Sequence, residues 1–304
     1  MAHNNNTPFF TIVIPSIGEI ESLSKALESI HGQSFNNYEV IIVDNSRISE
    51  KQQQVLRLVN SMHDEKISVY STDLIERSNA RNLGIEKAIG KYVCFLDEDD
   101  ILISNHLKIF YNKIEEEHQP IALLRTGMKY INIHGRQLKK SIPCPSNQNP
   151  VVFFLDHMVG IHTLCFHRSI LNSVKFHPDY FLFEDTHLLI RALLEFPFIQ
   201  IADHTCLYLV NEKDLDPDTL MNHLENNLAC INDLFENQKD KLAIHINTKR
   251  WKKYMLQKKY LDYSFFLLGK DKKVSFDLFK KSIALGIDHR LLKRYILYFI
   301  KRLN

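Results

Sequence analysis

Four short apolar runs, separated by stretches of helical periodicity, constrain the first hundred residues more than any other feature. The runs are Phe10–Pro15 (FTIVIP), Glu39–Val43 (EVIIV), Ile67–Ser71 and Tyr92–Leu96 (YVCFL). Runs of this length, rich in β-branched and aromatic residues, fit strands buried on both faces of a parallel sheet. Between them Ile20, Leu23, Leu27 and Ile30 share one helical face, as do Val55, Leu58, Val59 and Met62. A third, shorter helical stretch takes in Asn79, Ala80, Leu83, Ala88 and Ile89. Strand, helix and strand in this rhythm predict a doubly wound α/β sheet, whose ligands bind beyond the carboxyl ends of the strands. Functional side chains are therefore expected directly after Val43 and Leu96.

The chain then becomes mixed. A helix is expected around His106–Glu117, a strand at Ile121–Thr126, and irregular chain through Pro143, Pro145 and Pro150. A helix near Val152–Met158, a strand Ile161–His167 and an amphipathic helix Asp185–Glu195 come next, and beyond Glu212 the pattern is purely helical. With 304 residues, 45% of them hydrophobic, the chain can bury a full core and is not disordered. No run of about 18 apolar residues occurs, so no membrane-spanning helix is expected. The opening MAHNNNTPFF lacks the basic and apolar regions of a secretory signal. The five cysteines are scattered with no CxxC, which reads as reduced thiols in a cytoplasmic protein.

Charge is unevenly shared. Residues 241–304 carry 17 Lys and Arg against 4 Asp, whereas residues 1–240 carry 21 basic side chains against 32 acidic ones. Such a split implies two modules with different electrostatic roles. A basic module can meet nucleic acid, an anionic membrane or its own acidic neighbour.

The candidate chemistry sits where the sheet would put it. The run Tyr92–Leu96 leads straight into Asp97-Glu98-Asp99-Asp100, and adjacent carboxylates are tolerated where a cation neutralises them. Asp97 and Asp99, being alternate residues, can face one Mg2+ or Mn2+ ion; the plainer alternative is a solvated acidic turn. Asp44 ends the second run, either as a turn-forming residue or as the acceptor of a ring N–H from a nucleotide base. Arg77 and Arg81 suit diphosphate recognition or a surface ion pair. Glu184 and Asp185 precede an amphipathic helix, where acidic residues complement the dipole and where a carboxylate base would be rigidly aimed. Fifteen histidines form no HExxH or comparable pair, and GxGxxG, P-loop and GxSxG motifs are absent.

Five motifs in order, spread over four stretches, carry a resemblance: TIVIPSIGEIESLSKALESIHGQSFNNYEVIIVDNS, ERSNARNLGIEKAIGKYVCFLDEDD, IHTLCFHRSIL and FEDTHLLIRAL together supply an opening strand with Pro, a VDD-S-like turn, an ARN-G helix, a DxD and an ED helix. The chain resembles family 2 inverting glycosyltransferases of the GT-A fold over roughly residues 9–210. The resemblance implies an α/β fold of nucleotide-diphospho-sugar transferase type, Rossmann-like, with a mixed sheet flanked by helices, and a GT-A domain over 1–212. It does not cover the all-helical, basic C-terminal module expected over 213–304, which is read from the helical pattern and the charge split. The implied reaction is metal-dependent, Mn2+ or Mg2+, with a UDP-sugar donor and a glycan or lipid-linked acceptor in cell-surface polysaccharide or glycoconjugate synthesis. Pro15 and Ile17 would line the nucleotide base and Asp44 would hold it. Arg77 or Arg81 would lie near the base or diphosphate, with Asp97 and Glu98 beside the nucleotide sugar. Asp99, with Asp97, would bind the metal. Asp185 matches the catalytic base, with Glu184 next to it. Two positions depart from the family pattern: PSIGE replaces the usual PxYN, removing an aromatic stack, and Asn45 stands where a second Asp is common.

Two other classes compete: an inactive sugar-nucleotide-binding scaffold, and a metal-dependent phosphohydrolase or nuclease using DEDD. At the far end, Asp288–Asn304 reads as a helix with Leu292, Tyr295, Ile296, Phe299 and Leu303 on one face and Arg290, Lys293, Arg294 and Lys301 opposite. That pattern fits either packing on the module or peripheral contact of residues 241–304 with anionic lipid on the inner face of the membrane, with Trp251 as a second anchor. Nucleic acid is not expected as a partner, because the acidic half would repel it.

Overall fold

The computed structural model describes residues 7–74, 76–210 and 214–303. The boundary expected at 212/213 lies outside the described residues, as do the side chain of Leu303 and Asn304. The strands are β1 (Phe10–Ser16), β2 (Tyr38–Asp44), β3 (Ile67–Ser71), β4 (Tyr92–Phe95), β5 (Ile101–Leu102), β6 (Leu123–Ile131), β7 (Gln137–Lys140), β8 (Leu164–His167) and β9 (Phe198–Leu209). The helices of the first two thirds are α1 (Ile20–His31), α2 (Ser49–Met62), α3 (Arg77–Lys87), α4 (His106–Glu116), α5 (Pro150–Asp156), α6 (Arg168–Ser173) and α7 (Glu184–Leu193). The rest is helical: α8 (Pro217–Asn237), α9 (Lys239–Ala243), α10 (Thr248–Leu267), α11 (Lys272–Ala284) and α12 (Leu292–Leu303).

The strands form one mixed sheet in the order β3-β2-β1-β4-β8-β6-β9-β5, with β7 hanging on β6. β3, β2, β1 and β4 are parallel, as their unbroken apolar runs require, and the antiparallel β8 joins this half to the rest. The first three expected strands match within a residue. β9 is an addition to the expected pattern, running parallel to β6 with register shifts near Gly127.

Alternation along β1 builds two apolar layers. Ile12 and Ile14 face Leu23, Leu27 and Val55 of α1 and α2, while Val13 faces Ala80 and Ile85 of α3. Gly84 lets α3 lie close against the sheet, since a Cβ there would run into Val13 Cγ1. That close approach sets the depth of Arg81, one turn earlier.

The second layer continues without a break into the C-terminal helices through Ile231, Leu234, Leu261 and Tyr298. Each of the fully buried aliphatic side chains, Ile231, Leu234 and Leu261, contributes about 1.5–3 kcal/mol, so these helices are docked to the sheet rather than tethered to it. α12 docks through Tyr295 and Tyr298, whose hydroxyls share hydrogen bonds of 2.8 and 2.7 Å with those of Ser282 and Ser275. The apolar face expected on this helix therefore divides. Tyr295 turns inward, while Leu292, Ile296 and Phe299 stay exposed. The basic face divides too. Arg290 lies over the Tyr254 and Trp251 rings, and Arg294 pairs with Asp262 at 2.5 Å, leaving Lys293 and Lys301 outside. Trp251 is taken up by this internal packing.

Candidate active site

The carboxyl ends of β1, β2 and β4, the first turn of α3 and the start of α7 meet at one place. Arg81 is its hub. The guanidinium is fully buried, and its Nη2 donates to Asp97 Oδ1 at 2.6 Å while Nη1 donates to Asp185 Oδ1 at 3.0 Å and Glu184 Oε1 at 3.1 Å. Arg77, one helical turn away and half exposed, lies 3.9 Å from Asp97 Oδ2 and 3.8 Å from Glu184 Oε1. Three carboxylates thus share two guanidinium groups. Burial pushes the Asp97 carboxyl up, but Arg81 and Arg77 more than offset it and hold it below the usual range. Asp185 goes the other way: burial, with Glu184 and Asp97 nearby, pushes it up to about 7 against the pull of the arginines. Its side chain remains 19% exposed.

A second group is built around Glu98. Its Oε2 accepts from the Ser16 hydroxyl at 2.6 Å and its Oε1 accepts from the Ile17 N–H at 3.2 Å, tying the end of β1 to the turn after β4. Pro15 is buried inside β1, whereas the Ile17 side chain is 53% exposed beyond the strand end. Asp44 pairs in register with Ser16 across β1 and β2. Its Oδ1 accepts from the Ser46 N–H at 2.9 Å, and its buried Oδ2 has no hydrogen-bond partner. Asp99 is exposed at the turn and forms no ion pair among the described residues. Though the residue as a whole is exposed, partial desolvation of its carboxyl and then the neighbouring Asp100 and Asp97 push that carboxyl up.

A cavity of about 440 Å3 opens on the first group. Arg77, Asp97, His162, Asp185 and Tyr208 line one end, and α10 closes the other with Met255, Lys258, Lys259, Tyr263 and Phe266. Sequence reasoning missed three of these features. The buried His162 Nδ1 lies 2.7 Å from Asp100 Oδ2, and that carboxylate raises the imidazole's pKa despite burial. Tyr208 comes from β9, the strand absent from the expected pattern. The α10 residues share a face at helical spacing, but a single helix does not reveal what it faces.

The chain belongs to glycosyl transferase family 2, whose sequence model matches residues 11–174. The enzyme is therefore a glycosyltransferase and not a phosphohydrolase. It is 28% identical over 212 residues to the amylovoran biosynthesis glycosyltransferase AmsB of Erwinia amylovora, which covers 66% of this chain and 69% of that protein. Among solved structures, Staphylococcus aureus TarS in complex with UDP-GlcNAc superposes with a TM-score of 0.59 at 17% identity, covering 97% of this chain and 81% of that one. The mannosyltransferase PcManGT of Pyrobaculum calidifontis, in complex with GDP-Man and Mn2+, superposes at 0.57 with 14% identity, covering 97% and 86%. At such identities the structures speak for the fold, which is GT-A with a helical C-terminal region.

Proposed function

We propose that this glycosyltransferase moves a sugar from a nucleoside-diphosphate sugar, with inversion at the anomeric carbon, to a hydroxyl of a glycan or lipid-linked acceptor in cell-surface polysaccharide synthesis. The observation carrying this reading is the hub. One buried guanidinium holds Asp97, at the donor end, and Asp185, at the acceptor end, within 2.6 and 3.0 Å. The TarS complex with UDP-GlcNAc favours a UDP-sugar as donor.

The unpartnered Asp44 Oδ2 would accept the ring N–H of the base, above Pro15 and beside Ile17. Glu98 would act one step back, fixing the Ser16–Ile17 backbone that frames the base. Arg81 has no exposed surface to offer a donor, so its part is alignment, and the half-exposed Arg77 is the arginine that reaches the diphosphate. Asp185 would take the acceptor hydroxyl's proton as that oxygen attacks the anomeric carbon and the bond to the diphosphate breaks. A carboxyl pushed up toward neutrality is suited to that transfer. Glu184 completes the set that orients it.

The residues also fit a divalent cation. Asp99 carries uncompensated charge next to Asp97. Mn2+ or Mg2+ takes one or two carboxylates and completes its shell with phosphate and water. Asp99 with Asp97 would hold the ion, which when bound supplies charge neutralisation to the departing diphosphate.

Purified protein with UDP-sugars and Mn2+ should release UDP and transfer sugar with inverted anomeric configuration by NMR. Asp99→Ala should lose Mn2+-dependent nucleotide affinity while staying folded. Full activity in excess EDTA overturns the cation assignment, and retained configuration overturns the single-base mechanism.

The proposed place of action is the cytoplasmic face of the membrane. No helix among the described residues is long and apolar enough to cross a bilayer. Leu292, Ile296, Phe299 and Ile300 instead form an exposed apolar ridge on α12 beside Lys293 and Lys301. Co-sedimentation with anionic but not neutral vesicles, weakened by salt and by Ile296→Glu, would support a peripheral contact; no binding at low salt removes it.

A further inference from the structure

The cations that α10 brings to the cavity are not equivalent. Lys258 is satisfied: its ammonium donates to the Asp156 carboxylate at 2.8 Å and to the Asp156 carbonyl at 2.9 Å. The carboxylate at the next turn, Asp262, is committed to Arg294 at 2.5 Å. Lys259 has neither kind of partner. Among the described residues it makes no hydrogen bond and no ion pair; its ammonium sits 4.9 Å from the centroid of the Phe183 ring. A partly buried ammonium resting on an aromatic face has given up part of its water without an ion-pair partner, which costs stability unless a ligand brings one. Burial lowers its pKa, with Asp262 opposing that shift.

Its position says which ligand. Phe183 immediately precedes Glu184 and Asp185, and its left-handed backbone, φ 67°, aims α7 into the cavity. Lys259 therefore touches the segment that leads into the base's helix, on the α10 wall that faces the end where Arg77 and Asp97 would meet the donor. Tyr263 and Phe266, one and two turns along the same face of α10, extend that wall. Phe266 is 56% exposed and meets Tyr263 edge-on at 5.4 Å, leaving an aromatic face open to the cavity. A cation and an open aromatic ring on one wall suit a sugar that carries negative charge.

Resting on the reading of Asp185 as base, we propose that α10 forms the acceptor subsite and that Lys259 binds an anionic group, phosphate or carboxylate, on the acceptor glycan. The C-terminal helices would then select the acceptor, while the sheet half handles the donor.

The test uses the whole protein saturated with UDP and Mn2+, so that the diphosphate site is filled. Glucose 6-phosphate, glucuronate and glucose are titrated as probes by calorimetry. At least one charged probe should bind to UDP-loaded protein and glucose should not; which one binds separates phosphate from carboxylate. Lys259→Met should weaken that binding roughly tenfold to hundredfold, the usual worth of a hydrogen bond to a charged group, with Lys259→Arg recovering much of it. UDP affinity should be the same in all three proteins, which also reports that the variants are folded. Equal probe binding by wild type and Lys259→Met overturns the proposal, as does the absence of binding by either charged probe. Loss of UDP affinity in Lys259→Met overturns it by moving the lysine to the donor. If UDP itself fails to bind wild type, the donor reading fails instead, and the two failures stay distinct.

Discussion

The two ends of the molecule handle charge in opposite ways. At the carboxyl ends of the strands, Asp97, Glu184 and Asp185 crowd around Arg81 and Arg77, so negative charge exceeds positive charge in a buried place. In the C-terminal helices the ion pairs are single and mostly near the surface: Arg290 with Asp288, Arg294 with Asp262, Lys252 with Glu236, with Lys259 left without one among the described residues. Part of the basic excess of that region is neutralised by the acidic half itself, through Lys258 with Asp156 and Lys241 with Glu195. Matched pairs maintain a fold. An unmatched, buried excess is costly and persists where binding or proton transfer needs it.

The largest effect that can break this contrast is on turnover. Asp185→Asn keeps size and polarity but cannot take a proton, so turnover should fall roughly 10²–10⁴-fold with donor affinity nearly unchanged. Normal turnover in single-turnover assays would remove Asp185 from the chemistry and point to Glu184. Next comes Arg81→Met, which leaves three carboxylates with only the half-exposed Arg77 and should cost about 3–5 kcal/mol, a fall in Tm on the order of 10 °C. A melt within a degree or two of wild type would mean the hub does not hold these elements together.

A smaller effect has the opposite sign. The Asp185 carboxyl, pushed up to about 7 in the fold, disfavours folding once it is charged. That cost is absent below the unfolded carboxylate range, near pH 4, and grows as pH rises through 7. Asp185→Asn should therefore melt a few degrees above wild type at pH 8, and the advantage should vanish toward pH 4. An advantage unchanged across that range would separate it from ionisation. The smallest effect belongs to the matched region: Lys252→Ala removes a largely exposed pair and should change stability by less than about 1 kcal/mol in denaturant titration. A loss comparable to that of Arg81→Met would erase the distinction between the two regions.

Legibility in the sequence divides along similar lines. Strands β1 to β4 were legible because burial on both faces makes them continuously apolar, and the DEDD turn because its carboxylates are contiguous. β9 was not. FIQIADHTCLYL is largely half-exposed, and Asp203 and His204 interrupt its alternation. The candidate residues themselves could be named from motif spacing, but not their division of labour. Arg77 and Arg81 look alike in ERSNARNLG; only the close seating of Gly84 on Val13 and the contact of Arg81 with the Phe176 ring show that one is sealed and the other open. Lys258 and Lys259 are adjacent and identical in type, yet helical geometry gives Asp156 to one and the Phe183 ring to the other. The Asp100–His162 pair joins two loops with no local signal.

The sealed arginine also bears on how the chain reaches its final form. Its carboxylate partners on α7 lie 103 and 104 residues further along. A nascent chain that has emerged only as far as β6 can form the β1–β4 sheet and the contact of Arg81 with Asp97. It cannot close over the rest of that guanidinium, because closure of so long a loop comes only when α7 docks. Until then the cleft stands open to water and the arginine keeps its hydration. The catalytic constellation therefore cannot close before α7 docks, and a chain halted before Glu184 has most of its strands but no site.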